Sequence, residues 1–430
     1  MNEQLFQFIW NKQYFNNTNL YLFSGESISI VDPGILNSNQ GPDFLNALIR
    51  IDSLLLAGNI ELHLKTSDWL AHQHSNDPMY NNIILHVVLE NDLATSPNNL
   101  PLLELKPLLN KSLLDLYLAW NRSEHFIPCG EGIRKISDEI KSNLAHKLIE
   151  ERLIQKSNEL ITQLELLNFH WDELTWQTLS RSFGAKLNSD AFQRIAENLP
   201  LALLNRHRTN LIQLESLVLG RAGLLTIVST DPYIVLLQQE YKFLKKKYQW
   251  KDAFIPIVRL RMRPENFPEI RLAQLAKFLH EHELGLHQLI SDSSLGQIQE
   301  MLKVTANDFW HYHYTLLESS KYSPKQTGAT FINTIVLNAI IPLMYAYGVV
   351  MKNEKYLQKA LKWLAEFPPE SNRIITEFST LDWLPENALD SQALLHLKKS
   401  YCDRRRCLDC QIGQFLLKES ITEYSAPNFQ

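Results

Sequence analysis

The chain has 430 residues, 45% of them hydrophobic, which is enough to bury large cores and long enough for two or three domains. Its 42 Lys and Arg against 47 Asp and Glu leave a net charge of −5, which excludes a globally basic nucleic-acid coat while leaving room for a local basic groove. Four cysteines exclude a disulfide framework, and the amino terminus MNEQLFQFIWNKQYF lacks the apolar core of a signal peptide, so the expected location is the cytoplasm.

Residues 1–110 read as a strand-rich α/β domain. The runs SISIVDPG, ALIRIDSLLLAG, NIELHLK, NIILHVVLEND and LPLLELK are short, rich in Ile, Val and Leu, and bounded by Gly, Pro, Asn and Asp. From Ser137 the pattern becomes helical: Ser137 suits an N-cap, Asp138 and Glu139 suit a first turn, and Ile140, Leu144 and Leu148 recur at helical spacing. Further helical patterns over 234–248, 331–351, 354–367 and 389–402 make residues 130–430 a larger all-helical domain. The most apolar stretch, Phe331 to Val350, contains Asn333, Asn338 and Pro342 and is expected to be a buried helix, so no membrane partner is expected.

The densest polar chemistry lies between residues 41 and 86. His63, His72, His74 and His86 fall there, interleaved with Glu61, Asp68 and Asp77. Alternation along a strand puts Glu61, His63 and Lys65 of NIELHLK on one face, a carboxylate, an imidazole and an ammonium suited to a hydrolytic site; a solvated strand face fits the same alternation. Asp43 in GPDF begins a strand expected to hairpin into the Glu61 strand through residues 56–59. Asp68, His72, His74 and Asp77 form an additional polar set on the following helix or loop, with Asp68 and His72 four apart on one helical face. His86, alternating with apolar neighbours, reads as a core histidine.

Cys402, Cys407 and Cys410 fall within nine residues in YCDRRRCLDCQIG, and the fourth cysteine, Cys129, stands far upstream. Thiolates bind zinc or iron–sulfur clusters, and the C-x4-C-x2-C spacing is that of plant-type [2Fe–2S] proteins, so the four are expected to form one metal site, an iron–sulfur cluster in preference to Zn2+. In VRLRMRPENFPEIRLAQLA, Arg259, Arg261, Arg263 and Arg271 lie close together and suit either phosphate contacts or an internal network of arginine hydrogen bonds. The runs Lys245–Lys247 and Arg404–Arg406 read first as solvated faces.

An acid at one strand's start, a hairpin, and an acid-x-base triplet on the next strand resemble the PD-(D/E)XK nuclease superfamily. That resemblance implies a restriction-endonuclease-like mixed sheet, with Asp43 and Glu61 holding Mg2+ or Mn2+ and the basic residue positioning the attacking water. The third position departs from the pattern, being His63 with Lys65 two residues on; Glu104-Leu105-Lys106 is a rival triplet. GPDFLNA, GNIELHLKTSDWLAHQHSNDPMYNNIILHVV, RMRPENFPEIRLAQLA and YCDRRRCLDCQIG together resemble the domain of unknown function 2851 family of bacterial proteins across nearly the whole chain. Some helicase-associated nucleases and CRISPR-adaptation exonucleases similarly join a PD-(D/E)XK core to four cysteines, one early and three late. The expectation is therefore a metal-dependent phosphodiesterase acting on nucleic acid. A non-catalytic nucleic-acid or protein-binding module with a structural cysteine site, and a transition-metal hydrolase of another substrate, remain open alternatives. The sequence says nothing about oligomeric state.

Overall fold

A computed structural model describes residues 1–251, 255–291 and 293–425. The chain forms two compact units, the first made of Met1–Leu144, Thr376–Leu384 and Leu395–Gln430, the second of Ala145–Ile375 and Pro385–Leu394. Sequence texture groups the three late cysteines with the helices; in the fold they return to the strand-rich first unit.

That unit opens with helix α1 (Glu3–Lys12), started by the Asn2 side chain accepting from the Leu5 amide, and it buries Leu5, Phe6, Phe8, Ile9 and Trp10. The strands are β1 (Leu20–Tyr21), β2 (Ser27–Asp32), β3 (Ile35–Leu36), β4 (Phe44–Ile51), β5 (Leu54–Lys65), β6 (Ile83–Glu90) and β7 (Leu102–Glu104). They form one mixed sheet in the order β1-β2-β4-β5-β6-β7, with β3 beside the start of β4. β4 runs antiparallel to β2 and β5, whereas β5, β6 and β7 are mutually parallel.

The β4–β5 hairpin exists, but its turn is Asp52-Ser53, not residues 56–59, because Ile51 pairs with Leu54 and the leucines continue the strand. Asp52 takes φ +48°, a conformation aspartate tolerates, and its Oδ1 accepts from the Ser27 amide and hydroxyl. β5 is covered on both faces: Ile60 and Leu62 are 0% and 3% exposed, and Glu61 and His63 are 5% and 1%. The solvated-face alternative therefore fails for Glu61 and His63. A parallel strand needs a crossover, and residues 66–82 make it, through helix α2 (Asp68–Ala71) and two short 3-10 turns. That crossover carries His72 and His74 back over the sheet.

The second unit is helical, as its sequence implies. Trp171–Phe183 and Ala185–Glu197 are consecutive helices joined at Gly184. Ala329–Val350 is long and apolar enough to cross a membrane, but 67% of its most apolar stretch is buried within the protein. Its middle turn, Val336–Ile340, widens to π-helical geometry.

Candidate metal centre

Asp43 stands immediately before β4, and its backbone amide donates to Glu61 Oε2 at 3.0 Å. The exchange is mutual, since the Leu62 amide donates to Asp43 Oδ2 at 3.0 Å. Gln7 Nε2, reaching across from α1, donates to Asp43 Oδ1 at 2.8 Å. Two residues into β4 the register slips between Phe44 and Ala47 where Asn46 takes φ +58°, a bulge of the kind that re-aims neighbouring side chains.

From β5, Glu61 Oε1 lies 3.7 Å from His63 Nε2 and 3.4 Å from His74 Nε2. His63 Nε2 lies 3.2 Å from His72 Nδ1, and His63 Nδ1 lies 2.9 Å from His86 Nε2 on β6. Among the described residues, His63, His72 and His74 are the one set of three or more His, Cys, Asp or Glu whose donor atoms all lie within 4.8 Å of one another. Aromatic rings fix the cluster: Tyr80 stacks on His74 at 3.8 Å, and the buried Trp69 packs edge-on to His63 and His74. Trp69 is itself held by donating Nε1–H to Ser75 Oγ at 3.0 Å. His72 is the exposed member of the cluster.

The electrostatics are those of a desolvated site lacking positive charge. Burial pushes the Asp43 carboxyl up against the lowering hydrogen bonds from Leu62 and Gln7. Burial, then the Asp43 charge, pushes Glu61 up as well. Burial, then His86, His72 and His74, hold His63 down at about 2, while burial, then His74, lower His86 to about 4. His63 and His86 are thus neutral lone-pair donors beside two carboxylates whose charged form burial disfavours. His74 Nε2 is buried and makes no hydrogen bond.

Other sequence candidates lie outside this cluster. Lys65, the last residue of β5 and still paired with Glu90 of β6, is exposed; its amide donates to Asp68 Oδ2. Asp68 thereby closes the turn into α2, and Asp77 caps the Met79 amide, so both acids shape the backbone around His72 and His74. In the rival triplet, Lys106 pairs with Glu90 at the surface at 2.7 Å. Sequence reasoning missed Gln7, which carries no motif on its helix, and set His86 aside as core. It is core, 0% exposed, and it also touches His63.

The family profile for proteins of unknown function, DUF2851, matches residues 3–373. The chain belongs to the DUF2851 family. No curated protein and no solved structure matches it. The DUF2851 match takes in the whole sheet and Cys129 but ends before the cysteine trio, so it is shorter than the near-complete span the sequence resemblance implies.

In this DUF2851 chain Cys129 lies between helix α3 (Lys111–Arg122) and a 3-10 turn at Gly132–Lys135, its carbonyl accepting from the Gly132 and Ile133 amides. Cys402 ends a π-helical turn, Leu397–Cys402, and Arg405 then donates Nη1–H to the Trp120 carbonyl at 3.0 Å and Nη2–H to that of Ser123. Part of the basic run is thus spent fastening the cysteine loop to the end of α3. Burial, then Cys410 and Cys407, push the Cys129 thiol up to about 12; burial, then Cys129, Cys410 and Cys407, push Cys402 well above its ordinary value. The four thiols thus act electrostatically on one another.

In the second unit, Arg259 pairs with the buried Glu269 at 2.6 Å. Arg271 is buried, donates to Gln274 Oε1 and Asn266 Oδ1, and covers the Phe331 ring at 3.4 Å. These two take the internal role, whereas Arg261 and Arg263 are exposed.

Proposed function

We propose that the first unit is a metal-dependent phosphodiesterase acting on nucleic acid, with Asp43, Glu61 and His63 at its centre. The observation that carries the reading is the reciprocal hydrogen bonding that locks Asp43 at the head of β4 to Glu61 in β5, two residues before His63. An acid at a strand's start and an acid-x-base triplet across a hairpin are what the PD-(D/E)XK resemblance requires, and a parallel strand, β6, follows. A divalent cation there supplies an activated water and charge stabilisation at the phosphate. Glu61 provides a carboxylate to hold it, Asp43 anchors Glu61 from the head of β4, His63 stands at the position of the usual lysine, and exposed His72 lies at the edge. Lys65 has no part in this assignment.

The cysteines support a second metal centre as a staple of the first unit. The C-x4-C-x2-C spacing of the trio, with Cys129 as the fourth member, favours an iron–sulfur cluster over one zinc ion.

The test is cleavage of single- and double-stranded DNA and RNA by the purified protein with Mg2+, Mn2+ or Zn2+, beside Glu61→Gln and Asp43→Asn. Metal-dependent cleavage lost in both variants, with folding retained by circular dichroism, is the expected result. A wild-type protein that cuts no nucleic acid with any of these metals overturns it. The three histidines favour one other reading, a transition-metal hydrolase of a different substrate, which a panel of ester and amide substrates separates.

A further inference from the structure

We infer that the cation site of the first unit is a transition-metal site built from Glu61 Oε1 and one ring nitrogen each of His63, His72 and His74, with Asp43 held off the metal. The inference deepens the hydrolytic reading and rests on it for the metal's purpose, while the binding itself is separately measurable. Three imidazoles offer nitrogens within 4.8 Å of one another, and Glu61 Oε1 approaches two of them, His63 and His74. Three separations within the set, 3.2 Å, 3.4 Å and 3.7 Å, bracket the spacing of about 3.4 Å that tetrahedral ligands take around a metal at about 2.1 Å.

Two imidazole nitrogens 3.2 Å apart share either a proton or a cation. His74 Nε2 favours the cation, since it is buried against the same group and has no hydrogen-bond partner. A proton network would have satisfied it. His63 is oriented for ligation by its other nitrogen: Nδ1 bonded to His86 Nε2 at 2.9 Å leaves the Nε2 lone pair facing Glu61 and His72. Asp43, by contrast, has both oxygens engaged, Oδ1 by Gln7 and Oδ2 by the Leu62 amide, and its own amide occupies Glu61 Oε2. One free carboxylate oxygen and three imidazoles do not suit Mg2+, which seeks oxygen ligands in near-ideal octahedral geometry. They suit Zn2+, Mn2+, Fe2+ or Co2+. His72 is exposed, so a water or phosphate oxygen would join at that edge as a fifth ligand.

The experiment is a Co2+ titration of the full-length, chelator-treated protein in excess Mg2+, followed by visible absorption and tryptophan fluorescence. Cobalt on nitrogen and oxygen donors gives d–d bands without the sulfur charge-transfer absorption of the cysteine site. Trp69, with its ring centroid 5.4 Å from that of His74, reports the same event by quenching. The expected result is one nitrogen-and-oxygen cobalt site that Mg2+ does not displace, weakened by about tenfold to a hundredfold in His72→Ala and His74→Ala while the sulfur bands stay unchanged. Displacement by Mg2+, or wild-type affinity in both histidine variants, overturns the inference. Cobalt bound as expected with no nucleic acid cut overturns only the nuclease reading. Cleavage driven by Mg2+ alone and unaffected by either histidine substitution upholds that reading and overturns the ligand set.

Discussion

His86 Nε2 lies 2.9 Å from His63 Nδ1, on strands that pair in parallel with Glu61 opposite His86. The contact ties a core position to the candidate metal centre and makes His86 a positioning residue. His86→Leu is expected to lower metal affinity at the histidine site by about tenfold or more, and His86→Gln, which retains an acceptor, to restore part of it. Competition titration with a chromophoric chelator measures both. Equal affinities in the two variants would leave His86 with packing alone.

The cysteine site has its own geometric check. A Cβ on Gly413 would stand 2.1 Å from the Cys407 carbonyl oxygen, so alanine there forces the loop between Cys407 and Cys410 to move. Gly413→Ala and Cys129→Ser are both expected to come out of purification with less iron or zinc per chain than the wild type and a lower melting temperature. Elemental analysis of protein purified without oxygen gives the content, and a brown colour marks iron. Full metal content in Cys129→Ser would remove Cys129 from the ligand set.

Glu215 gives a pH dependence independent of any metal. It is fully buried in the second unit, where burial pushes it up to about 7 from 4.5, against the lowering hydrogen bond from Tyr233. The folded state therefore holds this proton more tightly than the unfolded state. The resulting stabilisation is complete below about pH 4.5 and lost as pH rises towards 7, a change of up to ~3 kcal/mol. Denaturant unfolding at pH 5 and pH 8 is expected to show a smaller loss in Glu215→Gln than in the wild type. Parallel pH profiles for the two proteins would contradict it.

For nucleic-acid binding, Arg261 and Arg263 are the exposed members of their arginine set. If each contacts a duplex phosphate, replacing both by alanine flattens the dependence of log affinity on log salt by about 2. Arg271→Ala instead lowers stability, because it empties a buried site over Phe331 and unpairs Asn266 and Gln274. A double variant with the wild-type salt slope would assign Arg261 and Arg263 to the solvated surface.

Local pattern revealed local structure. The β4–β5 pair, the alternation that placed Glu61 and His63 together, and the helix from Asp138 were legible because periodicity and turn residues act over a few positions. The hairpin turn was misplaced because Leu54–Leu56 look like the end of an apolar run, and only the Ile51–Leu54 pairing shows the reversal at Asp52. Lys65 fits the alternation and is still exposed, as the last residue of β5. What stayed hidden is non-local. The crossover brings His72 and His74 onto Glu61, the parallel register sets His86 beside His63, and the carboxy-terminal segment returns to the first unit.

Anomalous diffraction from crystals grown with Mn2+ or Zn2+ tests the central claim most directly, because it locates the cation without relying on activity. The expected peak lies about 2.0–2.2 Å from Glu61 Oε1 and from one ring nitrogen of each of His63, His72 and His74, with Asp43 still bonded to Gln7 and the Leu62 amide. A first unit with no peak at these residues, its His63 and His72 rings joined by a proton, would contradict the account.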